Sequence, residues 1–261
     1  RRQRQMCIRD SFNIVDEIPR KAMTLFYLVD TSGSMSGAKI GALNTAVRET
    51  LPIIEEISKT NSDSKIKIAV LEFSSGCEWM YPTPIDIEAF EWRDLQAGGL
   101  TVLGEAYDNL NQQLSHSHGF MMEATGSFAP VIILLSDGAP TDYPEHALEK
   151  LKTNNWFKVA TRIAIAIGDD CVKSTLMDFT GNQEAVLTVH TIDELKKIIR
   201  MVSVTASRVN SKTASVGKDA PDKATEAIDA IGTDIANDPT LKGIDVGSST
   251  TNSGTDDWTG W

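Results

Sequence analysis

Apolar and polar positions along the chain follow two periods, and the change from one to the other marks out the elements. Residues 23 to 30, MTLFYLVD, are apolar on both faces until an acid closes the run. That pattern predicts a strand in the middle of a parallel sheet, covered by helices on either side. After the loop TSGSMSG, the residues Ile40, Leu43, Val47, Leu51, Ile54 and Ile57 recur every three or four positions and predict one face of an amphipathic helix. Pro52 is expected to kink that helix or to end its first half. KIKIAVLEF, residues 65 to 73, gives a second strand, and SSG followed by CEWMY predicts a hairpin into a short antiparallel edge strand ending at Pro82.

Further along, AGGLTVLGEAYDNLNQQL reads as a glycine-rich loop holding Thr101 and then a helix whose core face carries Ala106, Leu110 and Leu114. PVIILLSDGAPTDYPEHALEKL repeats the first pattern: an apolar strand ending in an acid at Asp137, a turn, and a helix capped by Asp142 or Thr141. TRIAIAIGDD is another buried strand, followed by a helix near 172 to 179. AVLTVH and DELKKIIRMVSVTA give a last strand and a closing helix capped by Thr191 or Asp193.

Strand and helix therefore alternate from 24 to 206. The fold class expected is α/β: a Rossmann-like, doubly wound, mostly parallel six-stranded sheet with one antiparallel edge strand and helices on both faces. Residues 23–206 form this domain. Residues 1–22, opening RRQRQMCIRDS, show no period and are expected to be a disordered or artefactual segment. Residues 207–261 are rich in Ser, Thr, Gly, Asp and Lys, with one weak helical patch at ATEAIDAIGTDIA, and are expected to form a disordered acidic tail ending near Trp258 and Trp261.

Charge and cysteine use narrow the partners. A formal net charge of -11 repels phosphate backbones and anionic lipid heads, so neither nucleic acid nor membrane is expected as a partner. The three cysteines, Cys7, Cys77 and Cys171, are far apart and outside any C-x-x-C spacing, which argues against a disulfide framework or a zinc knuckle. With no signal-peptide pattern and no apolar run near 18 residues, a reducing cytoplasm is the expected location. His116 and His118 read as solvated residues near a helix end rather than a zinc pair, and Cys171 reads as structural.

The candidate chemistry sits where the strands end. Asp30 closes a buried strand, and Ser32 and Ser34 alternate in the loop beyond it, at the edge of the sheet where doubly wound folds bind ligands. Taken alone, D-x-S-x-S also fits a helix cap by Ser34 or Ser36 beside a turn residue at Asp30. Two further segments in the expected order, GGLT with Thr101 and LLSDG with Asp137, strengthen a metal-site reading. All five ligands are hard oxygens on what should be surface loops, which suits Mg²⁺, or Mn²⁺ or Ca²⁺, rather than zinc or copper. Mg²⁺ takes about six oxygens. Five side chains thus leave room for an outside ligand, and hydroxyls neutralise the ion so poorly that a partner's Asp or Glu could complete the site.

On these segments the chain resembles the von Willebrand factor A domains over residues 23 to 206. The resemblance implies their metal-ion-dependent adhesion site, with Ser32, Ser34 and Thr101 as hydroxyl ligands and Asp30 and Asp137 binding directly or through water. Gly33, Gly98 and Gly99 would let the loops approach the ion. More narrowly, DTSGSMSGAKI, ALNTAVRETLPIIEEI and LLSDGAPTD are similar to the bacterial TerY-like group. That similarity implies a non-enzymatic, metal-dependent protein-protein interaction module, a scaffold or regulator in a tellurite-resistance or stress-response system, with a protein kinase and phosphatase as partners. No cysteine follows Cys171, a departure from members with a C-terminal cysteine-rich module. One alternative is the partner subunit of an AAA+ ATPase of chelatase or MoxR type. The other is a Mg²⁺-dependent phosphoryl-transfer enzyme, disfavoured because there is no G-x-x-x-x-G-K-[ST] loop and the first strand ends in D-T-S rather than D-x-D.

Overall fold

The computed structural model describes residues 20–123, 126–137, 140–168, 171–212, 222–241 and 244–246. Residues 1–19 of the N-terminal segment, and both Trp258 and Trp261, lie outside the described residues. The strands are β1 (Lys21–Asp30), β2 (Ser64–Phe73), β3 (Cys77–Trp79), β4 (Ile85–Asp86), β5 (Val131–Ser136), β6 (Thr161–Ile167), β7 (Val186–Val189) and β8 (Asp245–Val246). They form one sheet in the order β3-β2-β1-β5-β6-β7-β8, with β4 pairing β2. β2, β1, β5, β6 and β7 run parallel. β3 pairs antiparallel at the edge through a tight hairpin, Phe73 opposite Cys77. These make up the six strands expected, and two-residue β4 and β8 add further antiparallel pairing.

The helices are α1 (Ala38–Thr60), α2 (Leu103–Gln113), α3 (Glu145–Thr153), α4 (Asn155–Val159), α5 (Lys173–Thr180), α6 (Ile192–Asn210) and α7 (Lys223–Asn237). β1 is apolar on both faces because it feeds two cores. Leu25, Tyr27 and Val29 pack with Leu43 and Val47 of α1 and Ile198 and Val202 of α6. Phe26 and Leu28 pack with Leu110 of α2, Leu148 of α3 and Phe179 of α5 on the opposite face. The Tyr27 hydroxyl, inside the first core, donates to Ser203 Oγ at 2.7 Å, so its polar end is satisfied.

Three local expectations change. Pro52 does not end α1, which runs through it to Thr60. The proline lies on the exposed side, where water can take the carbonyl it frees, while Leu51 and Ile54 hold the buried face on either side. Residues 222–241 are not an unstructured tail: α7 is capped by the Asp222 side chain and buries Ala227, Ile231 and Ile235. Thr205 Oγ1 donates to Asp234 Oδ2 at 2.8 Å, tying α6 to α7, and β8 extends the sheet beyond β7. Finally, α3 starts at Glu145 with no side-chain cap, so neither Asp142 nor Thr141 caps it. α6 does carry the expected cap, as a full capping box of Thr191 with Glu194.

Candidate metal centre

Strand order reverses between β1 and β5: from β1 the chain moves outward to β2, and from β5 outward to β6 and β7. The loops after β1 and β5 therefore part and leave a crevice at the carboxyl edge of the sheet. Asp30 is the last residue of β1, and Ser136 and Asp137 stand at the end of β5. Register places them together, since Val29 pairs with Leu135.

Within that crevice the side chains form a continuous hydrogen-bonded chain. Asp30 Oδ1 accepts from the Ser32 backbone N–H at 2.9 Å, and its Oδ2 accepts from Ser136 Oγ at 2.7 Å. Ser32 Oγ and Ser34 Oγ are 3.0 Å apart. Ser34 Oγ donates to Asp137 Oδ1 at 2.6 Å, and Lys39 Nζ donates to Asp137 Oδ2 at 2.7 Å. The capping reading of this loop is not what the structure contains. The helix after the loop has Gly37 at its N-cap with no side-chain cap, so Ser34 is committed to Asp137 instead.

Thr101 joins through the backbone. Its carbonyl accepts from Thr141 N at 2.8 Å and from Thr141 Oγ1 at 3.0 Å, and its own N–H meets Thr141 Oγ1 at 3.2 Å. Two residues earlier, Gly99 O accepts from Gly33 N at 3.1 Å, and Gly98 N donates to Thr31 O at 2.7 Å. The loop of Thr101 is thus stitched to both other loops. Gly99 has φ +88°, and a Cβ there would stand 2.5 Å from Ser75 Oγ, so the close approach requires glycine.

Asp142 has a role that sequence reasoning missed. Its carboxylate accepts from Leu103 N at 3.1 Å and from Gly104 N at 2.7 Å. It caps α2, the helix that follows Thr101, from the far side of the crevice. Only the length of the link, a pairing of residues 38 to 39 positions apart, hid it from the sequence.

Four of the five residues are less superficial than expected. Asp30 is 0% exposed, Ser32 2%, Thr101 5% and Asp137 3%, whereas Ser34 is exposed. Strand ends and interleaved loops bury them, because the segments cross over one another at the switch point. Burial pushes the Asp30 carboxyl above its ordinary value; the hydrogen bonds from Ser136 and Ser32 pull the other way, and the charge of Asp137 adds to the rise. Two carboxylates share the crevice, and of the two Asp137 is met by an ammonium, that of Lys39.

Other groups stand apart from the chain of oxygens. Cys171 is buried with its thiol 3.5 Å from Ser136 O, pushed up to about 12 by burial and then by Asp137 and Asp30. His116 and His118 sit in an exposed turn after α2. Among the described residues no three His, Cys, Asp or Glu side chains gather as a metal group. The hydroxyls of Ser32 and Ser34 stand between the two carboxylates, and Thr101 is held beside them by its backbone. Beside the first loop opens an acidic cleft of about 330 Å³ lined by Thr31, Glu72, Ser74 and Glu78 among others. There burial and the facing Glu78 both push Glu72 upward.

Comparison with known proteins fits this geometry. The family model of the von Willebrand factor type A domain matches residues 25–201. A von Willebrand factor type A structure from Catenulispora acidiphila is similar at TM-score 0.53 and 18% identity, over 72% of this chain and 43% of that one. Proximal thread matrix protein 1 from the mussel byssus, with a zinc-occupied MIDAS motif, is similar at TM-score 0.53 and 21% identity, over 71% and 48%. The pilus adhesin SpaC from Lactobacillus rhamnosus GG gives TM-score 0.58 at 14% identity, over 75% and 32%. The chain thus spans less than half the length of each of these structures, and the likeness is one of fold. Comparison with curated protein sequences gives no match.

Proposed function

We propose, from the premise that this chain belongs to the von Willebrand factor type A domain family, that it is a metal-dependent protein-interaction module. Asp30, Ser32, Ser34, Thr101 and Asp137 hold one divalent cation, and a partner's Asp or Glu supplies the ligand from outside. The observation that carries the reading is the run of oxygens from Asp30 through Ser32 and Ser34 to Asp137, which joins the ends of two strands and has no capping duty to explain it. Hard oxygens favour Mg²⁺, with Mn²⁺ or Ca²⁺ as substitutes. The mussel byssus protein holds zinc at its MIDAS motif, so the choice of Mg²⁺ rests on donor chemistry.

The bound cation would supply positive charge and an open coordination position. This chain's own residues would hold it. The non-enzymatic reading is supported by the placement of the four histidines, none of which lies in the three segments that form the site. Among the described residues no helix is long and apolar enough to cross a membrane. Free Cys77 and Cys171 support a reducing compartment, the cytoplasm. The finer assignment, a regulator in a bacterial tellurite-resistance or stress-response system with a kinase and phosphatase as partners, rests on the DTSGSMSGAKI, ALNTAVRETLPIIEEI and LLSDGAPTD segments alone.

The test is calorimetric titration of the purified protein with Mg²⁺, followed by capture of partners from the native cell with and without EDTA. One binding site is expected. Capture should require Mg²⁺ and be lost when Ser32 and Ser34 are both changed to alanine. Capture that survives both treatments sinks the reading, and metal-dependent turnover of a phosphoester would replace it with an enzyme.

A further inference from the structure

Lys39 is the second residue of α1, five positions beyond Ser34, and its ammonium is a charged donor to the oxygen chain. Its Nζ stands 2.7 Å from Asp137 Oδ2; the Asp137 side chain is 0% exposed and that of Lys39 is 22% exposed. With Ser34 Oγ on Oδ1, neither oxygen of Asp137 is bare. Asp30 is also met at both oxygens, but by neutral donors, the Ser32 N–H and Ser136 Oγ. A hydroxyl can keep its proton on one oxygen while its lone pairs face a cation. An ammonium has no lone pair, and at hydrogen-bond distance from the same carboxylate it repels a divalent ion.

We propose that Lys39 is a tethered competitor for the divalent cation: in the metal-free protein it is the counter-ion of Asp137, and metal binding displaces it from Oδ2 into solvent. The inference rests on the metal-site reading above and states how that site is regulated. Occupancy becomes an exchange of one cation for another instead of the filling of an open cage. The metal-free form is stabilised because a buried carboxylate left without a partner is costly. Exchange is feasible because a lysine is a compact, strongly hydrated charge on a flexible stem, and this one already has a path to water. Below a threshold of metal the ammonium would keep the docking point closed.

The test compares wild type with Lys39→Gln and Lys39→Arg by calorimetric titration with Mg²⁺, each variant checked by circular dichroism. K39Q should bind Mg²⁺ about tenfold more tightly, the scale of one partly buried ion pair. K39R, which keeps the charge, should stay within about threefold of wild type. As a second readout on the unaltered protein, acylation of Lys39 by an amine-reactive ester, followed by mass spectrometry, should speed up when Mg²⁺ is added. Mg²⁺ binding by wild type with unchanged or weaker binding by K39Q overturns the proposal, as does Lys39 acylation that is unaffected or slowed by Mg²⁺. Wild type that binds no Mg²⁺ at all overturns instead the metal-site reading beneath it.

Discussion

Ser34 and Asp137, 103 residues apart, are joined by a 2.6 Å hydrogen bond in which the serine hydroxyl donates to Oδ1. The bond crosses from the loop after β1 to the end of β5, so the loop's conformation depends on a strand distant from it in sequence. Replacing Asp137 by alanine removes that anchor together with the ion pair to Lys39. We expect Mg²⁺ binding to be lost while the far-ultraviolet circular dichroism changes little, because the strands and their two cores remain. Loss of the folded spectrum with metal affinity intact would make Asp137 a structural residue.

Asp30 gives a prediction about pH. Its carboxyl is raised above 3.8 by burial, so the folded state prefers it protonated. The stability this contributes is fully present below 3.8 and is lost as pH rises through the higher folded value. In EDTA at pH 7, Asp30→Asn should therefore melt above wild type, since the buried charge is gone and Ser32 N–H keeps an acceptor. Added Mg²⁺ should raise the wild-type midpoint and leave that of the variant unmoved. A variant that melts lower in EDTA at pH 7 contradicts the assignment of burial as the dominant cause.

Asp142 is predicted to act on α2 instead of its own helix. Asp142→Ala should cost about 1 kcal/mol in urea unfolding, the usual worth of an N-cap. Gly104→Ala should cost at least as much, because the new Cβ would lie 2.8 Å from Asp142 Oδ2 and push the cap away. A neutral Asp142→Ala would mean that this carboxylate caps neither α2 nor α3.

The two described cysteines should be poor nucleophiles. Burial, then the charges of Glu105 and Asp142, pushes the Cys77 thiol up to about 12, and Cys171 is raised to about the same value. Iodoacetamide at pH 8 should label both far more slowly than a free thiol whose pKa is about 8.5, since the thiolate is the reactive form. Fast labelling of Cys171 would mean that the loop beside Asp137 opens readily.

Much of this was legible in the sequence because the signal was local. An apolar run ending in an acid reports a buried strand and a candidate site at its tip, which is why Asp30 and Asp137 stand out. The hairpin into β3 and the capping box at Thr191 are likewise written in adjacent residues. What escaped depends on partners distant in sequence. Asp142 had to be seen beside Gly104, and Lys39 beside Asp137. Pro52 is harmless only because it faces water. The helical patch at 223–237 carries few apolar residues, and the α6 and β6 surfaces they meet make Ile231 and Ile235 sufficient.

That packing can be tested directly. Ile231 is 3% exposed in the core shared with α6, so Ile231→Ala should cost about 2 to 5 kcal/mol by chemical denaturation. A cost below about 0.5 kcal/mol, the level of a surface change, would mean that α7 is not held in place.

β8 contributes little area, yet its position governs how copies of the molecule behave toward one another. It pairs antiparallel with Leu187 and Thr188 of β7, the last parallel strand of the sheet. Without it, β7 would present unpaired N–H and C=O groups, an invitation for another sheet to continue across the boundary. Shortening the protein to the span that resembles its relatives would strip that guard and uncover the apolar patch beneath α7. Self-association, sooner than loss of the site, is the fate to expect of such a fragment.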